Sequence, residues 1–127
     1  MDTPAMMILL VEDEALSAMY MKIQIERMGF RVQALSTGEE AVSLALRERP
    51  DLILMDINLS GKMSGIEAAR LIKAEFEVPL IFITGYSDEN TREFARELKP
   101  SAFLVKPLDM KDLGRRLRAL LGPVSTA

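Results

Sequence analysis

The sequence predicts an α/β fold, one domain built on a mostly parallel sheet. Short apolar runs alternate with amphipathic, helix-spaced segments from end to end of the 127 residues, the pattern of repeated strand–helix units. Three of those runs, near 6–11, 51–56 and 79–84, are almost continuously apolar, as strands covered on both faces are. A third observation bears on function, because four runs end on polar residues. Met7–Val11 leads to Glu12 and Asp13, Leu52–Met55 to Asp56, Leu80–Ile83 to Thr84, and Ala102–Val105 to Lys106 and Pro107. In a parallel sheet these side chains leave at one edge, where open α/β sheets hold ligands.

The first strand, near 6–11, is followed by a helix near 14–28 that stops at Gly29, a residue suited to helix ends. In that helix Ala18, Met21, Ile25 and Met28 share a face and should point into the core. Leu16, Met19, Tyr20 and Ile23 form a second apolar stripe beside the polar edge. The second strand, near 31–35, alternates polar and apolar residues and reads as a sheet edge. The helix near 37–48 starts at Ser36 or Thr37, with Glu39 and Glu40 in its first turn, where the helix dipole favours them. After the third strand, near 51–56, a helix near 64–76 follows Ser64 and Gly65. The fourth strand, near 79–84, precedes a helix near 87–98, and the fifth, near 102–105, precedes a helix near 109–121 capped by Asp109. Pro50, Pro79, Pro100 and Pro107 fall between elements, where a missing N–H does least harm. Residues 6–121 are therefore expected to form the domain and 122–127 a disordered tail or linker stub.

With no cysteine and no histidine, disulfides, thiolate metal sites, phosphohistidine and histidine-based triads are excluded. The net charge of −3 argues against a general nucleic-acid binder. No basic region precedes the first apolar run and no run approaches a membrane span. A cytoplasmic protein with no direct contact to nucleic acid or membrane is expected.

Glu12, Asp13 and Asp56 would crowd one pocket, where like charges repel unless a proton or a cation intervenes. Magnesium, or manganese, suits such a site, being held by one or two carboxylates, waters and a phosphate. Each residue also has a plainer reading: a helix N-terminus or turn for the acids and Thr84, and a surface position for Lys106. Taken together they suit phosphoryl transfer. Asp56 would be the nucleophile, Glu12 and Asp13 the metal holders, Lys106 the counter-charge and Thr84 a hydrogen-bond donor.

The chain resembles the receiver domain of two-component response regulators over about residues 6–121. The matching pieces are Leu10-Val11-Glu12-Asp13-Glu14, Met55-Asp56-Ile57-Asn58-Leu59, Ser64-Gly65-Ile66-Glu67, Ile83-Thr84-Gly85 and Phe103-Leu104-Val105-Lys106-Pro107. The resemblance implies a doubly wound, five-stranded sheet of order 2-1-3-4-5 in the flavodoxin-like, CheY-like manner. It implies that Asp56 accepts a phosphoryl group from a phosphohistidine on a histidine kinase or histidine phosphotransfer protein. Asp13, Asp56 and the backbone carbonyl of Asn58 would hold Mg2+ directly, with Glu12 acting mostly through water. Thr84 and Lys106 would sense the phosphoryl group, the Lys106–Pro107 bond would be cis, and Phe103 would be the aromatic that turns inward on phosphorylation. The surface of the fourth helix, fifth strand and fifth helix would carry the change, and that surface or the first helix could form a homodimer. The resemblance makes the chain a signalling domain rather than an enzyme, one that assists only its own phosphotransfer and dephosphorylation. It would be either a stand-alone receiver or a piece of a longer regulator or hybrid kinase.

Three departures stand out. Glu12 replaces the aspartate often first in the acidic pair. Gly65 falls nine positions after Asp56, one more than is usual, and Ser60-Gly61-Lys62 lacks the usual proline. Tyr86 sets a bulky ring near the pocket mouth, where it is expected to slow attack by water on an acyl phosphate. The stripe of Leu16, Met19, Tyr20 and Ile23 is expected to dock on helices of the phosphodonor.

The competing reading is an aspartyl-phosphate hydrolase of haloacid dehalogenase type. Its nucleophile usually opens an Asp-x-Asp motif, and Asp56-Ile57-Asn58 supplies no second aspartate. A flavodoxin-like electron carrier would need a phosphate-cradling loop after the first strand, where Glu12-Asp13-Glu14 would repel the flavin phosphate.

Overall fold

In a computed structural model of the chain, residues 5–85 and 89–122 are described. Tyr86 and most of the expected tail lie outside the described residues. Five strands, β1 (Met7–Val11), β2 (Arg31–Leu35), β3 (Leu52–Asp56), β4 (Leu80–Thr84) and β5 (Ala102–Val105), alternate with five helices. These are α1 (Ala15–Arg27), α2 (Gly38–Glu48), α3 (Gly65–Lys73), α4 (Glu89–Arg96) and α5 (Met110–Leu121). The strands are all parallel, in the order β2-β1-β3-β4-β5. The alternating strand is thus an edge, and β1, β3 and β4 are buried along their whole length.

Alternation of side chains along each strand splits the core into two layers. Leu9, Val11, Ile53, Met55, Leu80 and Phe82 face Ala41 and Ala45 of α2, Ala68, Ala69 and Ile72 of α3, and Ala95 of α4. Ile8, Leu10, Leu52, Leu54, Ile81 and Ile83 face Met21 and Ile25 of α1 and Leu113 and Leu117 of α5. Met28 packs on this second layer at the end of α1, whereas Ala18 is only half-buried.

Three N-caps fix where helices start. Thr37 accepts from the Glu40 N–H, Ser64 from the Glu67 N–H, and Asp109 from the N–H groups of Lys111 and Asp112; such caps contribute about 1 kcal/mol each. Thr37, not Ser36, is the cap of α2. Two helices end earlier than the apolar spacing predicts. After Lys73 a turn carries Phe76 beneath the Arg49 guanidinium, 4.8 Å from its ring centroid. After Arg96 the chain reverses through Lys99, whose φ is 51°, a left-handed conformation more usual for glycine.

Gly65 has a different reason to be glycine. A Cβ there would lie 2.1 Å from the backbone oxygen of Asp56, so the start of α3 can press against the end of β3 only without a side chain. The Gly65 N–H donates to the Ile57 carbonyl at 3.1 Å and locks this contact.

Candidate functional site

The sheet ladder continues just past the strand ends and carries the polar residues with it. Glu12 N–H donates to Leu35 O at 3.0 Å, Ile57 N–H to Ile83 O at 2.9 Å and Lys106 N–H to Thr84 O at 2.8 Å. Parallel register sets Asp56 beside Ile83 and Thr84 beside Val105. Glu12, Asp56 and Thr84 end up buried, at 2%, 3% and 2% exposure, the only buried polar or charged side chains among the described residues.

The structure brings Glu12, Asp13, Asp56 and Lys106 together. Carboxylate oxygens of the three acids lie within 4.8 Å of one another. The Lys106 ammonium reaches over them, donating to Glu12 Oε1 at 2.5 Å and Asp56 Oδ2 at 3.1 Å. The Asn58 N–H donates to Asp56 Oδ1 at 2.9 Å, and the Asn58 side-chain amide donates to Thr84 Oγ1 at 3.3 Å. Thr84 therefore joins the cluster through Asn58. The Lys106–Pro107 bond is cis.

Burial pushes the Asp56 carboxyl up to about 6, and the neighbouring Glu12 pushes the same way, outweighing the Asn58 N–H and Lys106. Burial also opposes ionisation of Glu12, but hydrogen bonds with Asp56, Lys106 and Ser17 hold its carboxyl below the usual range. The opposite directions make Asp56 the more readily protonated of the two. Asp13 is held low first by hydrogen bonding with the Ser60 side chain, and further by the Ser60 backbone. Burial would lower Lys106, yet the two carboxylates raise it, so the ammonium stays charged. Three crowded oxygen donors, with neither imidazole nor thiolate, fit a hard divalent cation such as Mg2+.

Phe103 lies on β5, half-buried, its ring centroid 6.0 Å from that of Phe82 and covered by the Arg92 guanidinium at 4.8 Å. Leu16, Met19, Tyr20 and Ile23 are 75%, 59%, 56% and 42% exposed, a continuous apolar stripe on α1. A cleft of about 490 Å3 lined by Ser17, Tyr20, Met21, Lys106, Pro107, Leu108 and Met110 lies between Tyr20 of that stripe and Lys106. Two participants escaped the sequence reading. Ser60 donates its backbone N–H to Asp13 Oδ2 at 2.7 Å, and Gly65 allows the close approach behind Asp56. The glycine was visible in the motif; nothing local marks a loop amide that bonds across 47 residues.

Comparison with known proteins agrees with this geometry. The family model for the response regulator receiver domain matches residues 8–118. The DNA-binding response regulator MtrA of Mycobacterium tuberculosis is 33% identical over 121 residues, 95% of this chain and 53% of that protein. The chain spans about half the length of the curated relatives it matches. Since such a relative is a DNA-binding regulator, the expectation of no nucleic-acid contact finds no support in these likenesses. Among solved structures, the receiver domain of a modulated diguanylate cyclase from Desulfovibrio desulfuricans is 36% identical with a TM-score of 0.86, covering 93% of this chain and 94% of that one. The receiver domain of the sensor histidine kinase PA1611 from Pseudomonas aeruginosa, which holds a magnesium ion in its active-site cleft, is 32% identical. Its TM-score is 0.85, with 94% of this chain and 99% of that one covered. The hydrolase alternative is not favoured by any of these matches. Sheet order, the acid cluster at the strand ends and these likenesses agree, and the chain belongs to the response regulator receiver domain family.

Proposed function

We propose that residues 6–121 act as a phosphoacceptor whose Asp56 takes a phosphoryl group from the phosphohistidine of a histidine kinase or histidine phosphotransfer protein. The observation that carries this is the meeting of Glu12, Asp13, Asp56 and Lys106 in one pocket. A carboxylate oxygen of Asp56 attacks phosphorus; a P–O bond forms, the P–N bond breaks, and the imidazole leaves with the electron pair. Asp13, Asp56 and the Asn58 backbone carbonyl would hold Mg2+ or Mn2+, with Glu12 acting through water. The bound cation supplies charge neutralisation at the phosphoryl oxygens. Lys106 adds a fixed positive charge, and the Thr84 hydroxyl turns from Asn58 to the new acceptor oxygens. Phosphorylation adds roughly −1.5 to −2 charges. Movement of Thr84 would open space into which Phe103 turns, leaving the Arg92 stack and changing the α4–β5–α5 surface.

This is a signalling role rather than turnover of an outside substrate. Among the described residues no helix is long and apolar enough to cross a membrane; a cytoplasmic location is part of the proposal. The test is transfer of labelled phosphate from a phosphorylated candidate kinase in the presence of magnesium. Label is expected on the wild type and not on Asp56→Ala; label retained by that variant rejects the proposal.

The α1 stripe is assigned to the phosphodonor's helices, because the cleft joins Tyr20 to Lys106 at the pocket mouth. A self-association surface is the other use of exposed apolar groups, on α1 or on the α4–β5–α5 face, where Phe94 and Val105 are exposed. Replacing Met19 and Ile23 by polar residues should slow phosphotransfer from the kinase at least roughly tenfold, a loss of about 1.4 kcal/mol of encounter-complex stability. Acetyl phosphate should label the same variant at the wild-type rate. Equal slowing with both donors would show that docking is not what the stripe does.

A further inference from the structure

We propose that Ser60 is a positioning residue for the metal, holding Asp13 Oδ2 through its backbone N–H and leaving Oδ1 free to meet a cation. This rests on the reading of Asp13 as a metal ligand. Asp13 is half-exposed, and a carboxylate so placed is free to change rotamer unless something holds it. The 2.7 Å bond from the Ser60 N–H is such a hold, and its donor is fixed from both sides. Leu59 before it is buried in the core layer, as is Ile57. Gly61 after it turns the chain at φ 109°, a conformation that side chains resist. A carboxylate has acceptor sites on both oxygens, so bonding at Oδ2 leaves Oδ1 able to meet a cation. Partners that orient a ligand in this way commonly set affinity by 10–100-fold. A proline in the Ser60-Gly61-Lys62 stretch, usual in receivers, would delete an N–H; at position 60 it would delete this donor.

Calorimetric titration of the full chain with Mg2+ alone tests the assignment, with readouts on wild type, Ser60→Ala, Ser60→Pro and Asp13→Ala. Ser60→Pro should bind Mg2+ roughly tenfold or more weakly, and Ser60→Ala, which keeps the amide, should bind close to the wild type. Affinity of Ser60→Pro equal to or above that of the wild type overturns the proposal. Amide hydrogen exchange on the wild type covers the case in which Ser60→Pro does not fold. The Ser60 amide should keep its protection when Mg2+ saturates the site; protection lost on metal binding means that the bond competes with the cation and overturns the proposal. Undiminished binding by Asp13→Ala would remove Asp13 as a ligand, and the role of Ser60 with it. Loss of binding in Asp13→Ala beside wild-type binding in Ser60→Pro would sink the Ser60 role alone.

Discussion

Asp56→Asn is expected to make the metal-free protein more stable, by about 1–3 kcal/mol near pH 8, while removing the proposed phosphoacceptor. The carboxyl of Asp56 sits at about 6 in the fold against 3.8 for its ordinary value, raised by burial first and by Glu12 second. A raised carboxyl means that the folded state binds the proton more tightly than the unfolded chain does. The stability it contributes is fully present below about pH 3.8 and is lost as pH rises through about 6. Above that range the buried charge opposes folding, each tenfold difference in proton affinity between the folded and unfolded chain costing about 1.4 kcal/mol. Because Glu12 shares in holding that proton, one substitution recovers only part of the total. Asparagine keeps the shape and an oxygen for the Asn58 N–H, and leaves the Glu12–Lys106 pair in place. Urea denaturation in chelator near pH 8 measures the effect, and the gap between variant and wild type should close near pH 4. A midpoint for Asp56→Asn at or below the wild type in chelator would contradict this account.

Lys106→Met should act in the opposite direction. Lys106 is the cation that touches both Glu12 and Asp56, whose side chains are 1% and 5% exposed. Removing one member of a buried ion pair leaves charge without a partner and costs about 3–5 kcal/mol when burial is complete. Here the lysine side chain is 28% exposed, and Asp56 can take up a proton, so about 2–3 kcal/mol is expected. Saturating Mg2+ should restore much of the loss, because a second source of positive charge then faces the same carboxylates. Phosphorylation of Lys106→Met should also fall by at least about 100-fold, the scale of losing one preorganised charge at a reacting centre. Wild-type stability of Lys106→Met in chelator would mean that the pocket acids are neutral or solvated, and would undo the electrostatic picture.

The parts of this fold legible in the sequence are those set by apolar burial. Strands such as Leu52–Asp56 need continuous apolar residues to lie inside two layers of helices, so their runs reveal both position and depth. The strand ends likewise expose Glu12, Asp56, Thr84 and Lys106 as edge residues. Helix ends were less readable. α3 and α4 stop without glycine, through a turn at Ala74 and Glu75 and a left-handed Lys99, and tertiary packing of Phe76 decides the first of these. Least readable were the bonds that depend on three-dimensional approach. The Ser60 amide on Asp13 does not follow from residue type, since any residue but proline has a backbone N–H, and the Asn58 side chain could not be paired with Thr84 before the fold set them side by side.

The crowding of acids at the strand ends has a consequence for how such a protein would change under selection. Of the three acids only Asp56 is disfavoured as a charge by burial and by Glu12, so neutralising that one residue relieves repulsion while the apolar layers stay as they are. A screen that rewards heat resistance alone would therefore enrich chains with a silenced pocket, and none of the usual signs of damage, such as aggregation or rapid degradation, would betray them. With the phosphoacceptor role proposed for Asp56, folding and signalling pull on that residue in opposite directions, and a requirement for the phosphoryl group would keep the less comfortable side chain in place.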